Sequence, residues 1–227
     1  HWTFDGADTN WTSATAGTVT DKSGSNNTGT LTNMSRSASP APGKIGQALK
    51  FDGVNDWVGA PVMNYDEMSI SAWFYRKNID TVGSDVIYGK WVWNADLQLK
   101  KGLYFGRFTP GYPQKFQFLI ESKDGVGTVT EKINSYDMTN SILAWHHAVG
   151  TYNKTTGEQK LYIDNNLVNT QTHPVNNTIV PSTASWSAIG FDSAITDGYW
   201  NGLIDEVRVY NRALSASEVK QLYDMGR

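Results

Sequence analysis

Along most of the chain, apolar and polar residues alternate over short runs, and clusters of Gly, Asn, Asp, Ser and Thr separate the runs. Alternation with a period of two marks a strand with one face buried, because successive side chains point to opposite sides. It predicts strands at Trp2 to Asp5, Gln47 to Phe51, Trp57 to Gly59, Met68 to Tyr75, Asp85 to Lys90, Gly102 to Arg107, Lys115 to Ser122 and Thr128 to Lys132. Further strands are expected at His146 to Tyr152, Gln159 to Ile163, Leu167 to Gln171, Ser187 to Phe191 and Leu203 to Tyr210. Ala38 to Gly43, rich in Pro and small residues, reads as a loop. Helical periodicity appears only at the C-terminal end. There Ser215 is placed to N-cap a short helix, with Glu218 as its capping-box partner and Leu214 set to staple against Val219.

Two local features refine the pattern. Asp164-Asn165, between two alternating runs, suits a type I′ hairpin turn, since Asn and Asp accept left-handed conformations better than most residues. In the last strand, alternation puts Leu203, Asp205, Val207 and Val209 on one face and Ile204, Glu206, Arg208 and Tyr210 on the other. One carboxylate then stands on an apolar face, so Asp205 is expected to meet a cation, a metal or several backbone N–H groups.

With 227 residues, many turns and 12% aromatic residues, the chain fits one all-β unit spanning 1–227. A formal net charge of −3 offers no concentrated basic surface for nucleic acid or an anionic membrane. No apolar run is long enough to insert in a bilayer. The chain lacks cysteine, which excludes disulfides and thiol nucleophiles. Sequons begin at Asn10, Asn26, Asn33, Asn153 and Asn176, as a composition this rich in Asn, Ser and Thr produces by chance.

Several segments occur in a telling order: Trp2-Thr-Phe-Asp5-Gly6, Asp21 to Leu31, Gly46 to Val58 with its Phe-Asp-Gly, Ser69 to Phe74, Trp145-His-His-Ala-Val149, Lys160 to Val168, Ile189-Gly190 and Gly202 to Tyr223. Together they resemble the LamG-like jelly-roll domains of the concanavalin A-like lectin/glucanase superfamily. The resemblance implies a two-sheet antiparallel β-sandwich with a short C-terminal helix, in a secreted or surface bacterial protein. It also implies a structural calcium where the first and last strands meet. Asp5 and Asp205 would be its carboxylate ligands, with Asp21 or Asn26 from the following loop, since calcium takes hard oxygen ligands.

Some relatives with this fold are glucanases whose paired acids sit at alternate positions of one strand. This chain lacks that signature. Glu121 and Asp124 are an odd number of residues apart, with Gly125 suggesting a turn, and Asp205 and Glu206 are neighbours. His1 could in principle chelate copper, but that needs a second histidine, and His146, His147 and His173 are the others. Aromatic residues carry the remaining chemistry, because sugar rings stack on exposed aromatic faces. Of nine Trp, Trp2, Trp73 and Trp145 read as packing residues. Trp91 and Trp93 share a face at i and i+2, and Tyr104, Phe105, Tyr112 and Trp200 are expected to join them around a glycan groove. The sequence therefore points to a non-catalytic carbohydrate-binding or adhesion module for a polysaccharide or glycan, with other domains of a larger surface protein as further expected partners. A glycoside hydrolase or polysaccharide lyase with a site assembled from distant strands, or a spacer domain, are the alternatives.

Overall fold

The computed structural model describes residues 1–78, 85–90, 101–105, 115–139, 141–182, 186–191 and 198–227. In chain order its strands are β1 (Thr9–Trp11), β2 (Ala16–Val19), β3 (Gly29–Thr32), β4 (Pro40–Pro42), β5 (Gln47–Asp52), β6 (Trp57–Ala60), β7 (Met68–Arg76), β8 (Asp85–Lys90) and β9 (Lys101–Phe105). They continue as β10 (Lys115–Lys123), β11 (Val129–Asp137), β12 (Trp145–Tyr152), β13 (Glu158–Ile163), β14 (Asn166–Thr172), β15 (Thr178–Ile179), β16 (Ser187–Ile189) and β17 (Asn201–Tyr210). A helix, α1 (Ala216–Asp224), follows. Among the described residues these strands form two antiparallel sheets. The larger runs β1-β2-β3-β6-β16-β8-β9-β10-β11 with β15 joined to β10, and the smaller runs β14-β13-β12-β7-β17-β5-β4.

The facing sides of the two sheets enclose the core. Ile70, Ala72 and Phe74 of β7 meet Phe116, Phe118 and Ile120 of β10 and Leu103 and Phe105 of β9, each set two residues apart as a strand face requires. Phe74 lies parallel to Phe116 at 5.2 Å between ring centres, and Phe105 stands edge-on to both at 5.8 and 5.0 Å. Such offset and edge-on contacts place positive ring edges against negative faces.

On the outer side of the smaller sheet lies α1. Its start is the expected capping box: Ser215 Oγ accepts from the Glu218 amide, and Glu218 Oε2 accepts from the Ser215 amide at 2.9 Å. Leu214 and Val219 are buried together against Val149 and Tyr162, as the staple predicts. Tyr223 stacks on Trp73 at 5.5 Å. The β13–β14 turn also follows expectation, with Asp164 and Asn165 at φ 49° and 67°.

Three expectations need correction. The stretch read as a loop contributes β4, an edge strand, where proline's missing N–H costs no ladder bond. Trp2 to Asp5 makes only a single bridge, Trp2 to Val207, and the pairing begins at the polar strands β1 to β3, whose alternation of Thr, Asn and Gly carries little apolar signal. In β17 a bulge lies between Asp205 and Arg208, and Glu206 has φ 53°. The extra residue shifts the phase of the strand. Ile204 and then Val207 enter the core, so Asp205 does not share a face with Val207.

Candidate functional site

Among the described residues, partly exposed aromatic side chains gather on the outer side of the larger sheet. In β6, Val58 and Ala60 are buried, so Trp57 and Gly59 face outward. Antiparallel pairing aligns Gly59 with Ala188 of β16 on one side and with Thr30 of β3 on the other. These small residues leave a shallow floor. The Trp57 ring leans across it: a Cβ on Gly59 would sit only 3.0 Å from Trp57 Cζ3. Trp186, just before β16, brings its ring to 4.6 Å from that of Trp57, tilted by 36°. Phe191 adds a third ring at 5.9 Å from Trp57, and Tyr199 stacks on Phe191 at 4.5 Å, the two joined by an isolated bridge. All four aromatic residues are partly exposed.

Beside the tryptophans is a cleft of about 300 Å³ lined by Thr28, Thr30, Trp57, Gly59, Ala60, Pro61 and Trp186. None of these residues is ionisable. Thr28 and Thr30 are exposed and offer hydroxyls, each able to donate and accept. The turn ahead of Trp57 is fixed by carboxylates. Asp52 Oδ1 accepts from the Val54 and Asn55 amides at 2.8 and 3.3 Å, and Asp56 Oδ2 accepts from the Asp52 amide at 3.0 Å. Burial, with Asp52 nearby, pushes the Asp56 carboxyl up to about 6. The arrangement can hold a neutral ligand by ring stacking and hydroxyl bonding.

These residues were legible only in part. Alternation of Val58 and Ala60 inward turns Trp57 outward, and Trp186 lies between two serines, a polar setting for a tryptophan. Their meeting depends on β6 pairing with β16 across a long chain separation, which spacing does not reveal. Among the expected glycan residues, Trp91, Trp93 and Tyr112 lie outside the described residues. Trp200 and Phe105 are core residues instead: Trp200 is fully buried, 5.9 Å from Phe74. Tyr104 is also buried, packed with Val86 and Leu119 and against Ile133. Neither Tyr104 nor Trp200 presents a ring face to a ligand.

Asp5, Asp21, Asn26 and Asp205 do not assemble one coordination shell. Asp205 is fully buried, and its Oδ2 accepts from the Lys44 and Ile45 amides at 2.9 and 3.0 Å. Asp5 Oδ1 accepts from the Gln47 amide at 2.8 Å. Both carboxylates thus dock on the Gly43 to Gln47 turn, where a Cβ on Gly43 would come within 2.7 Å of Asp205 and one on Gly46 within 2.3 Å of Asp5. Asp21 spends both oxygens on the Ser23 and Asn27 amides, the Ser23 hydroxyl and the amine of His1. Asn26 is exposed, in a left-handed turn. Among the described residues no group of three or more His, Cys, Asp or Glu could hold a metal ion, and Asp205 Oδ1 is buried without a hydrogen-bond partner. Burial pushes the Asp205 carboxyl up to about 7, and the neighbouring Glu206 charge adds to it.

The four histidines also stay apart. His1 Nε2 meets Glu206 at 2.8 Å, His146 meets Asp164 at 2.7 Å, His147 meets Ser71 at 2.9 Å, and His173 lies between Ser122 and Gln159 at 2.7 and 2.6 Å. A two-histidine copper site is not formed. Asp124 caps its own turn, accepting from the Val126 and Thr128 amides. Glu121 is buried and stands opposite Glu131 on β11. That pair sits four strand spacings from Trp57, roughly 19 Å, and no carboxylate among the described residues lines the aromatic cleft.

A sequence profile described as the Concanavalin A-like lectin/glucanases superfamily matches residues 51–220. No curated protein matches the chain. Among solved structures, domain 4 of AbnA, a GH43 extracellular arabinanase from Geobacillus stearothermophilus, in complex with arabinotriose, aligns with a TM-score of 0.61 at 21% identity, over 100% of this chain and 96% of that one. The receptor binding domain of botulinum neurotoxin D aligns with a TM-score of 0.61 at 18% identity, over 95% of this chain and 51% of that one. Trypanosoma rangeli sialidase in complex with sialic acid gives 0.57 at 17% identity, over 95% of this chain and 32% of that one. At these identities the likeness establishes a shared jelly-roll fold. With the profile covering most of its length, the chain belongs to the concanavalin A-like lectin/glucanase superfamily.

Proposed function

We propose that this protein is a non-catalytic glycan-binding module of an extracellular or surface bacterial protein, with its ligand held on the outer side of the larger sheet. The observation that carries this reading is the partly exposed pair Trp57 and Trp186, 4.6 Å apart beside a cleft with exposed threonine hydroxyls. Partly exposed tryptophans gathered on a floor of small residues serve poorly as core and well as a stacking surface. An arabinotriose complex and a sialic acid complex among proteins of the same fold support a carbohydrate ligand. Binding without hydrolysis is favoured because no described carboxylate reaches the cleft, whereas glycoside hydrolysis needs two flanking the bond. Affinity electrophoresis of the protein and of Trp57→Ala and Trp186→Ala through gels containing a panel of polysaccharides tests it. Retardation of the parent protein lost in both variants is the expected result. Retention in both variants would move the site elsewhere.

A further inference from the structure

We infer that the aromatic cleft selects uncharged sugars and rejects glycans bearing carboxylate or sulfate groups, an inference that rests on the glycan-binding reading of the same site. Stacking alone does not distinguish the two classes, since both present apolar C–H faces to an indole ring. The distinction comes from what surrounds the rings. Trp57, Trp186, Thr28 and Thr30 line the cleft with three small apolar residues, and among the described lining residues there is no lysine, arginine or histidine. An anionic group brought against the tryptophans would lose hydration without meeting a cation, and an unpaired buried charge is among the costliest contacts a site can hold. The formal net charge of −3 adds weak long-range repulsion.

The polar groups present suit hydroxyls. Thr28 and Thr30 are exposed at the β3 side of the cleft, and a threonine hydroxyl can donate to or accept from a sugar hydroxyl by rotating one bond. The cleft extends over β3, β6 and toward β16, two strand spacings or roughly 10 Å. Its volume of about 300 Å³ lies at the small end of ligand clefts, so it takes a short stretch of a chain. The Trp57 and Trp186 rings are tilted by 36°, so they offer no single flat plane to a crystalline polysaccharide surface. A short segment of one soluble, neutral chain fits that shape.

Isothermal titration tests the selection with two sets of probes: neutral arabino-, xylo-, manno- and cello-oligosaccharides, and anionic sialyllactose, oligogalacturonate and heparin fragments. Titrations at 50 mM and 500 mM NaCl use the parent protein, Trp57→Ala and Thr30→Lys. The expected result is binding of at least one neutral series, changed less than twofold by salt and lost in Trp57→Ala. Thr30→Lys, on an exposed position, should admit an anionic probe in a salt-sensitive manner. Binding of anionic probes by the parent protein, weakened tenfold or more by salt and abolished in Trp57→Ala, would overturn the selection while keeping the site. Absence of binding to both sets would overturn the glycan reading itself, and full binding by Trp57→Ala would overturn the selection by this cleft, because the ligand would then sit elsewhere.

Discussion

Asp205 and Glu206 are neighbours in β17, yet both lie on the side of the smaller sheet that α1 covers. Asp205 pairs in register with Trp73, whose ring stacks under Tyr223, and Glu206 lines a small cavity with Ser71, Trp73, His147, Arg208 and Leu222. The left-handed backbone at Glu206 makes this possible. Glu206 then bonds the Arg208 guanidinium at 2.5 Å, while Asp205 anchors the Gly43 to Gln47 turn. Both acids hold the fold together.

Asp205→Ala is therefore predicted to destabilise the protein by about 1–3 kcal/mol, the cost of leaving buried donors unsatisfied. Asp205→Asn keeps an oxygen for the Lys44 and Ile45 amides and should lose little at pH 7, where the parent must ionise a buried carboxyl. Urea midpoints of the two variants check the contrast. Equal losses would show that the charge, rather than the acceptor, is what the site requires.

Because Asp5 and Asp205 already accept from backbone amides of the Gly43 to Gln47 turn and Asp21 from amides of its own loop, chelation is predicted to leave the melting temperature within a degree of the untreated value. Differential scanning calorimetry with and without EDTA, on protein purified in calcium, provides the measurement. A fall of several degrees would restore the calcium site, since a ligand bound only to the native state must stabilise it.

The pH dependence of stability follows from four buried groups. His147 and His173 are held down to about 4 by burial, and Asp56 and Asp205 are held up to about 6 and about 7. Between pH 4 and 6 the unfolded chain binds more protons than the native state at the two imidazoles, which makes stability rise with pH. At the two carboxyls the native state binds more protons, which makes stability fall with pH. The opposing slopes cancel, so the parent protein is predicted to have a nearly flat stability profile around pH 5. His173→Gln retains a donor toward Gln159 and removes one imidazole. Its stability should fall with rising pH by about 1.4 kcal/mol per unit near pH 5. Urea denaturation at half-unit steps gives both profiles, and parallel profiles would contradict the assignment.

The sequence reveals more of this sandwich than of its site, for a physical reason. Elements set by local chemistry are legible: the Ser215 and Glu218 cap, the Asp164-Asn165 turn and the apolar alternation of β7, β10 and β12 all depend on residues a few positions apart. The bulge at Glu206 is not, because no glycine marks it and the phase shift appears only when β7 is paired alongside. The aromatic site is harder still. Trp57 and Trp186 are 129 positions apart (186 less 57) and meet through strand order, while Trp200, equally aromatic in sequence, is drawn into the core beside Phe74 and Phe105.

That difference between tryptophans is itself testable. Trp200→Ala should cost about 3–5 kcal/mol, as removal of a fully buried ring does, whereas Trp57→Ala should cost less because its ring is partly exposed. Chemical denaturation distinguishes them. Similar losses would mean that Trp57 is a structural residue and weaken its role as a stacking surface.

The most direct test of the account is a titration of the folded parent protein and of Trp57→Ala with the oligosaccharide that the panel identifies, following tryptophan fluorescence and heat together. Saturable binding with a fluorescence change is expected in the parent protein, and at least a tenfold loss of affinity in Trp57→Ala with its melting temperature little altered. Unchanged affinity in a well-folded Trp57→Ala would contradict it.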